Sequence, residues 1–320
     1  MTRFFALLLA LAGMGLVDPA QSQDYPSRPI RLVIGYAAGG GADTIARFFA
    51  DKLSALAGKQ VLVENKPGAT GAIAHVYVAK SKPDGYTIYM VGLSSLAATP
   101  FFYKSPPVDA LKDYSTIIAP LSQTWVLLVD ANKPWKTLAE FTEHLKGRGS
   151  NGSYATATQM GMVMSELYKS HLGLQTVPVN YKAVADSVND LLSGQLDMIA
   201  GDPAFALGLV KGGKARALAT TGATRSGAFP TVPTMTESGV PMDLVSYWGM
   251  IAPAGTPDAI IERLNGWFVQ ILKTEEARKF FNDVAPSDIL FTTKEQAREI
   301  LERDAKLWAE YVKVAKIEPN

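Results

Sequence analysis

The chain has 320 residues, with 31 Lys and Arg against 30 Asp and Glu and a formal net charge of +1. That balance gives no bulk attraction to nucleic acid or to an anionic membrane, and no nucleic-acid partner is expected. The chain has no cysteine, which excludes disulfides, thiolate metal sites and a cysteine nucleophile, and at this length two α/β lobes are expected in place of a single core.

In chain order, Arg3 and the apolar run Phe4 to Val17 precede the small residues of Ala20-Gln21-Ser22. Residues 1–22 therefore read as a cleaved secretory signal with the mature chain starting at Gln23, and the product is expected to be exported. Pro29 to Tyr36 reads as a buried strand, and Thr44 to Leu56 has helical spacing of Ile45, Phe49, Leu53 and Leu56. Between them lie three consecutive glycines, Gly39-Gly40-Gly41. A short strand from Gln60 to Glu64 ends at the turn cluster Asn65-Lys66-Pro67-Gly68, a small-residue helix covers Gly71 to Ser81, and Tyr86 to Val91 is the next strand. Gly92-Leu93-Ser94-Ser95 reads as the loop after it.

A second lobe is expected from about Gln123, with strands at Thr124–Val129, Ser153–Ala155, Val177–Val179, Asp197–Ala200 and Ala215–Thr220. Helices are expected at Thr137–Lys146, Gln159–Leu172 and Val184–Leu192. After a further apolar strand at Ser246–Ala252 the tail is helical, over Pro257–Lys273, Glu275–Asn282 and Lys294–Lys316. Strand–helix alternation implies mainly parallel sheets flanked by helices.

A glycine turn opening a helix exposes backbone N–H groups at the positive end of that helix, and so suits an anion. It does not match the dinucleotide pattern, because Thr44 stands three residues after Gly41, nor a P-loop, because no lysine follows Gly40-Gly41. A tight turn with no ligand is the plain alternative. Asp43 and Arg47 stand i, i+4 and suit a pair that supports the helix. Thr156 and Thr158 lie before the helix from Gln159, as caps or as ligand donors. Asp202-Pro203 has the form of a helix start, with a carboxylate oxygen left to accept from a ligand hydroxyl or ammonium. Ser94 and Ser95 lack the glycine that a nucleophile elbow needs at position 96, where Leu96 sits. His75, His144 and His171 show no metal-ligand spacing. Neither a catalytic triad nor a carboxylate pair emerges, so an exported hydrolase is disfavoured and no cofactor or metal is expected.

Several segments carry a family resemblance: Tyr25-Pro26-Ser27-Arg28-Pro29-Ile30, the Gly39-Gly40-Gly41-Ala42-Asp43 turn, Val63-Glu64-Asn65-Lys66-Pro67-Gly68-Ala69-Thr70-Gly71, and Pro83-Asp84-Gly85-Tyr86-Thr87. They continue with Gly213-Lys214-Ala215-Arg216-Ala217-Leu218-Ala219, Val232-Pro233-Thr234 with Glu237-Ser238-Gly239, and Ala252-Pro253-Ala254-Gly255-Thr256-Pro257. In this order they resemble the Bug family, the extracytoplasmic solute receptors of tripartite tricarboxylate transporters, from about Asp24 onward.

The resemblance implies a periplasmic protein with a two-lobed α/β periplasmic binding fold of type II-like form and two interdomain connections, so that residues 23–122 and 223–320 would form the first lobe and 123–222 the second. It further implies a cleft between the lobes and a small carboxylate ligand such as a dicarboxylate or an aromatic carboxylate. It implies delivery to large and small integral membrane subunits by a monomeric, non-enzymatic receptor, with presentation to a sensor kinase as the alternative. Carried onto this chain, the ligand residues are Tyr36, Ala38, Gly39, Gly40 and Asp43 on one side and Ala155, Thr156, Ala157, Thr158 and Gln159 on the other. Ser94, Ser95, Asp202 and Ala204 would flank the distal end. The chain departs from the family pattern at Ala38, at Tyr154 to Met162, and at Val177-Pro178-Val179-Asn180-Tyr181-Lys182-Ala183.

Overall fold

The computed structural model describes residues 25–316, so the signal segment expected at 1–22 lies outside the described residues. The first lobe opens with β1 (Ile30–Ile34), α1 (Gly41–Ala57), β2 (Val61–Asn65), α2 (Ala72–Ala79), β3 (Thr87–Gly92), α3 (Leu93–Phe102) and β4 (Tyr114–Thr124). Ile30, Leu32, Val33 and Ile34 are fully buried, so β1 carries apolar residues on both faces, as a central strand must. On α1, Ile45, Phe49 and Leu53 form one stripe that packs on Leu264 and Phe268 from the C-terminal part of the chain. Gly58, left-handed at φ 63°, ends the helix without the clash a side chain would bring.

The second lobe follows as β5 (Val126–Asp130), α4 (Leu138–Arg148), β6 (Ser153–Thr156), α5 (Gln159–Leu172), β7 (Val177–Asn180), α6 (Val188–Ser193), β8 (Ile199–Gly201), α7 (Pro203–Lys211) and β9 (Ala215–Thr220). The chain then returns to the first lobe with β10 (Val245–Pro253), α8 (Asp258–Leu272), α9 (Glu275–Asp283), β11 (Asp288–Ile289) and α10 (Lys294–Val314).

The sheets are mixed, where mainly parallel ones were expected. In the six-stranded sheet β11-β4-β10-β3-β1-β2, the β2-β1-β3 portion is parallel, while β10 runs antiparallel to both β3 and β4. In the second lobe β8-β5-β9 is wholly antiparallel and β6-β7 parallel, with a parallel bridge from Tyr154 to Met198 joining the two. The cause is the path of the chain. It leaves one lobe and comes back beside its own exit, so the outgoing and returning strands must oppose each other. This makes β4 pair with β10 and β5 pair with β9.

Two local expectations also change. The segment after Gly92 is the helix α3, in which Leu93, Leu96 and Ala97 are buried, although Pro100 lies inside it. Helix α1 begins at Gly41, so the third glycine of the turn is already its first residue.

Candidate functional site

A cavity of about 820 Å³ lies between the two sheet systems. Its first-lobe wall is the mouth of α1, where Gly41, Ala42 and Thr44 face inward beside Tyr36. The helix has no side-chain cap, so the opening N–H groups of Gly41, Ala42 and Asp43 are left without helical partners. Such a rim of donors, backed by the helix dipole, favours an anion.

The glycine turn just outside this mouth is held by Asp43. That carboxylate is buried and accepts from Arg47 Nε at 2.8 Å, Gly39 N–H at 2.9 Å and Asn65 Nδ2 at 2.9 Å. The Arg47 hydrogen bond, helped by the Gly39 and Asn65 bonds, lowers its carboxyl to about 2, so it stays ionised. Asp43 is thus a scaffold group, and the Gly39 amide is spent inside the turn, because an acid at the third helical position can reach back to the preceding loop. Ala38, Gly39 and Gly40 are exposed and do not line the cavity. The inward-facing groups sit one to four residues later.

On the second-lobe wall, Thr156, Ala157, Thr158 and Gln159 lead into α5 and all line the cavity, as do Asp202 and Ala204 at the start of α7. Ala155 does not. It is buried in β6 with its N–H given to the Met198 carbonyl. Thr158 Oγ1 accepts from Gly161 N–H as an N-cap. Asp202 Oδ1 accepts from both Ala204 and Phe205 N–H at 3.0 Å, while Oδ2 takes no hydrogen bond from the described residues. Asn180 also lines this wall, its Oδ1 accepting from Thr156 Oγ1.

The two serines after β3 separate. Ser95 lines the cavity, but Ser94 is buried on another side of α3, where it donates to Asp304 Oδ2 at 2.5 Å. Consecutive residues at the start of a helix point about 100° apart, so one loop cannot present both.

Residues that sequence reasoning missed form the back wall. Trp125 and Trp248 line the cavity near the crossings between lobes, with Tyr247 beside them. The Trp125 Nε1–H goes to Ser246 Oγ at 2.9 Å and the Trp248 Nε1–H to Gln123 Oε1 at 3.1 Å. The ring of Tyr36 meets Trp248 edge-on, with centroids 5.6 Å apart. Deeper in the first lobe, His75 Nδ1 and the Tyr89 hydroxyl are 2.8 Å apart. Burial lowers the imidazole to about 4, so it is neutral at pH 7. Among the described residues that line the cavity there is no Lys or Arg, and Asp202 is the one formal charge.

The model of the tripartite tricarboxylate transporter family receptor (TctC) matches residues 45–315. The UPF0065 protein in the gbd 5′ region of Cupriavidus necator is 37% identical over 281 residues, covering 84% of this chain and 83% of that protein. Protein BugT of Bordetella pertussis is 29% identical over 318 residues, covering 98% of this chain and 97% of its own. Among solved structures, an R. palustris protein with adipate superposes with a TM-score of 0.82 at 27% identity, over 93% of this chain and 100% of that one. The periplasmic binding protein BugD superposes with a TM-score of 0.78 at 28% identity, over 92% and 100%. With its family model spanning most of the sequence and its cleft between two mixed α/β lobes, the chain belongs to the tripartite tricarboxylate transporter family receptors, the periplasmic solute-binding proteins that include the Bug proteins.

Proposed function

We propose that the chain binds a small carboxylate in the cleft between its lobes and delivers it, unaltered, to the large and small membrane subunits of a tripartite tricarboxylate transporter. The uncapped mouth of α1 on the cavity wall carries this reading. Roughly three or four charge-assisted hydrogen bonds of about 1.5–3 kcal/mol each, with apolar contact from the aromatic wall, suffice for micromolar binding near −8 kcal/mol after ordering costs. Neutral donors also favour release, since no buried cation is left unpaired when the ligand departs. Carboxylates in related solved structures, adipate in one and malate in MatC of Rhodopseudomonas palustris, support the ligand class.

In this reading the lobes close about the crossings at Trp125 and between β9 and β10. A thermal-shift screen over small carboxylates tests it, because a ligand at 100 times its Kd adds about 2.7 kcal/mol of stability. Binding of at least one carboxylate, unchanged on recovery, is expected. Its uptake by cells should stop when either membrane subunit is deleted. A chain that binds no carboxylate, or that turns one over, overturns the proposal.

A further inference from the structure

We propose that the cleft selects a monocarboxylate with an aromatic body whose far end donates a hydrogen bond to Asp202, and that it discriminates against a second carboxylate. This rests on the carboxylate-receptor reading above and narrows its ligand class.

The first support is the distribution of charge. The mouth of α1 offers N–H donors with no side-chain cap, so one anionic group has a natural seat on the first-lobe wall. The opposite wall is different. The start of α7 is already occupied by the Asp202 carboxylate, whose Oδ1 takes both available N–H groups. Its Oδ2 has no partner among the described residues and so can accept from a ligand. A second ligand carboxylate arriving there would meet a like charge, with no Lys or Arg among the described lining residues to offset it.

The neighbouring start of α5 is partly spent, since its Gly161 N–H is taken by Thr158 Oγ1. Strands β6 and β8, which lead into α5 and α7, are joined by the Tyr154–Met198 bridge. A Cβ added at Gly161, in the first turn of α5, would lie 3.0 Å from the Ala200 carbonyl oxygen, two residues before Asp202. The starts of α5 and α7 are therefore neighbours on that wall.

The second support is the chemistry of the back wall. The indole N–H groups of Trp125 and Trp248 are taken by Ser246 and Gln123, so what these rings have left for a ligand is apolar surface. Gln123 is itself held through Nε2 by Ser287 Oγ at 2.9 Å, which fixes its amide and, through it, Trp248. Tyr36 stands edge-on to Trp248 near the anion seat. A flat ring attached to a carboxylate matches this arrangement, whereas a second carboxylate reaching the start of α7 would meet Asp202.

Isothermal titration of the mature protein with benzoate, 4-hydroxybenzoate, terephthalate and adipate tests the proposal, on wild type and on Asp202→Asn. Asparagine keeps the helix cap, so the variant should fold. In wild type, 4-hydroxybenzoate is expected to bind at least tenfold tighter than terephthalate or adipate, and tighter than benzoate. In Asp202→Asn the gap between 4-hydroxybenzoate and terephthalate should shrink at least fivefold. Adipate or terephthalate binding wild type as tightly as 4-hydroxybenzoate overturns the selectivity while leaving the receptor reading intact. An unchanged ratio in the variant removes Asp202 as its cause. Failure of all four to bind, together with a silent screen of other carboxylates, brings down the receptor reading and this inference together.

Discussion

Trp125 and Thr221 are joined by two hydrogen bonds at the point where the chain passes between lobes. The Trp125 N–H donates to Thr221 Oγ1 at 2.9 Å, and the Thr221 N–H donates to the Trp125 carbonyl at 3.0 Å. Thr221 Oγ1 also donates to the Leu244 carbonyl, and the Leu244 N–H returns to the Thr221 carbonyl at 2.9 Å. One residue therefore ties the outgoing strand, the returning strand and the segment leading into β10. Thr221 is fully buried, so water cannot replace what its hydroxyl supplies.

Thr221→Val keeps the shape of this residue and removes the hydroxyl. The Trp125 N–H and one lone pair of Leu244 are then buried without a partner, a loss of about 1–3 kcal/mol. Urea unfolding should give a lower midpoint by that amount with an unchanged m-value. If the variant is as stable as wild type, the junction is not held in the way the geometry describes.

The Ser94–Asp304 bond separates a scaffold role from a ligand role. Asp304 is 4% exposed, and burial raises its carboxyl above the ordinary carboxylate range. Ser94 offsets part of that by donating to it. Ser94→Ala should therefore lower stability by about 1–3 kcal/mol while leaving the affinity for a bound carboxylate within twofold. Titration calorimetry on the folded variant decides the matter, since a loss of affinity beyond tenfold would return Ser94 to the site.

His75 makes stability depend on pH in a defined direction. The unfolded imidazole takes a proton near pH 6.5, whereas burial holds the folded one at about 4. Between these values the unfolded state binds more protons. The stability present above pH 6.5 thus falls as the pH is lowered, by up to about 3 kcal/mol at pH 4. His75→Gln keeps an acceptor for the Tyr89 hydroxyl and removes the titration. Chemical denaturation at several pH values should show a shallower slope for this variant across pH 4–6.5, and parallel slopes would count against a buried neutral imidazole.

The parts of the molecule that were legible in the sequence are those written locally. The two-sided apolarity of β1, the stripe Ile45, Phe49 and Leu53, and the helix start at Asp202-Pro203 each lie within a few consecutive residues. What escaped depends on long-range pairing or on helix phase. Tyr247 pairs with Ser122 and Trp248 with Leu121 across the β4–β10 ladder, which brings residues more than a hundred positions apart into one wall. No local pattern around Trp125 or Trp248 carries that information. Likewise Ser94 and Ser95 are equivalent as letters, and only the helical phase of α3, hidden by Pro100, sends one to the cavity and the other to Asp304. At the glycine turn the anion-binding chemistry was readable, but its position was displaced. Asp43 consumes the Gly39 amide and leaves Gly41 and Ala42 at the wall.

That displacement leads to a sharp test of the anchor. Gly39 has φ 83°, so a side chain there strains the backbone and blurs any loss of binding with a loss of fold. Ala42 is better placed. It is the second residue of α1, lines the cavity, and has no left-handed backbone requirement. Ala42→Asp puts a carboxylate in the first turn, where the helix dipole favours it by about 0.3–1 kcal/mol. The fold should therefore be retained, while the introduced acid occupies the seat proposed for the ligand and repels it. Circular dichroism should show a folded protein with a cooperative unfolding transition, and the thermal shift produced by carboxylates should vanish. A full ligand shift in a well-folded Ala42→Asp protein would move the anion seat away from α1, because a like charge at that mouth cannot coexist with a carboxylate held by the same N–H groups.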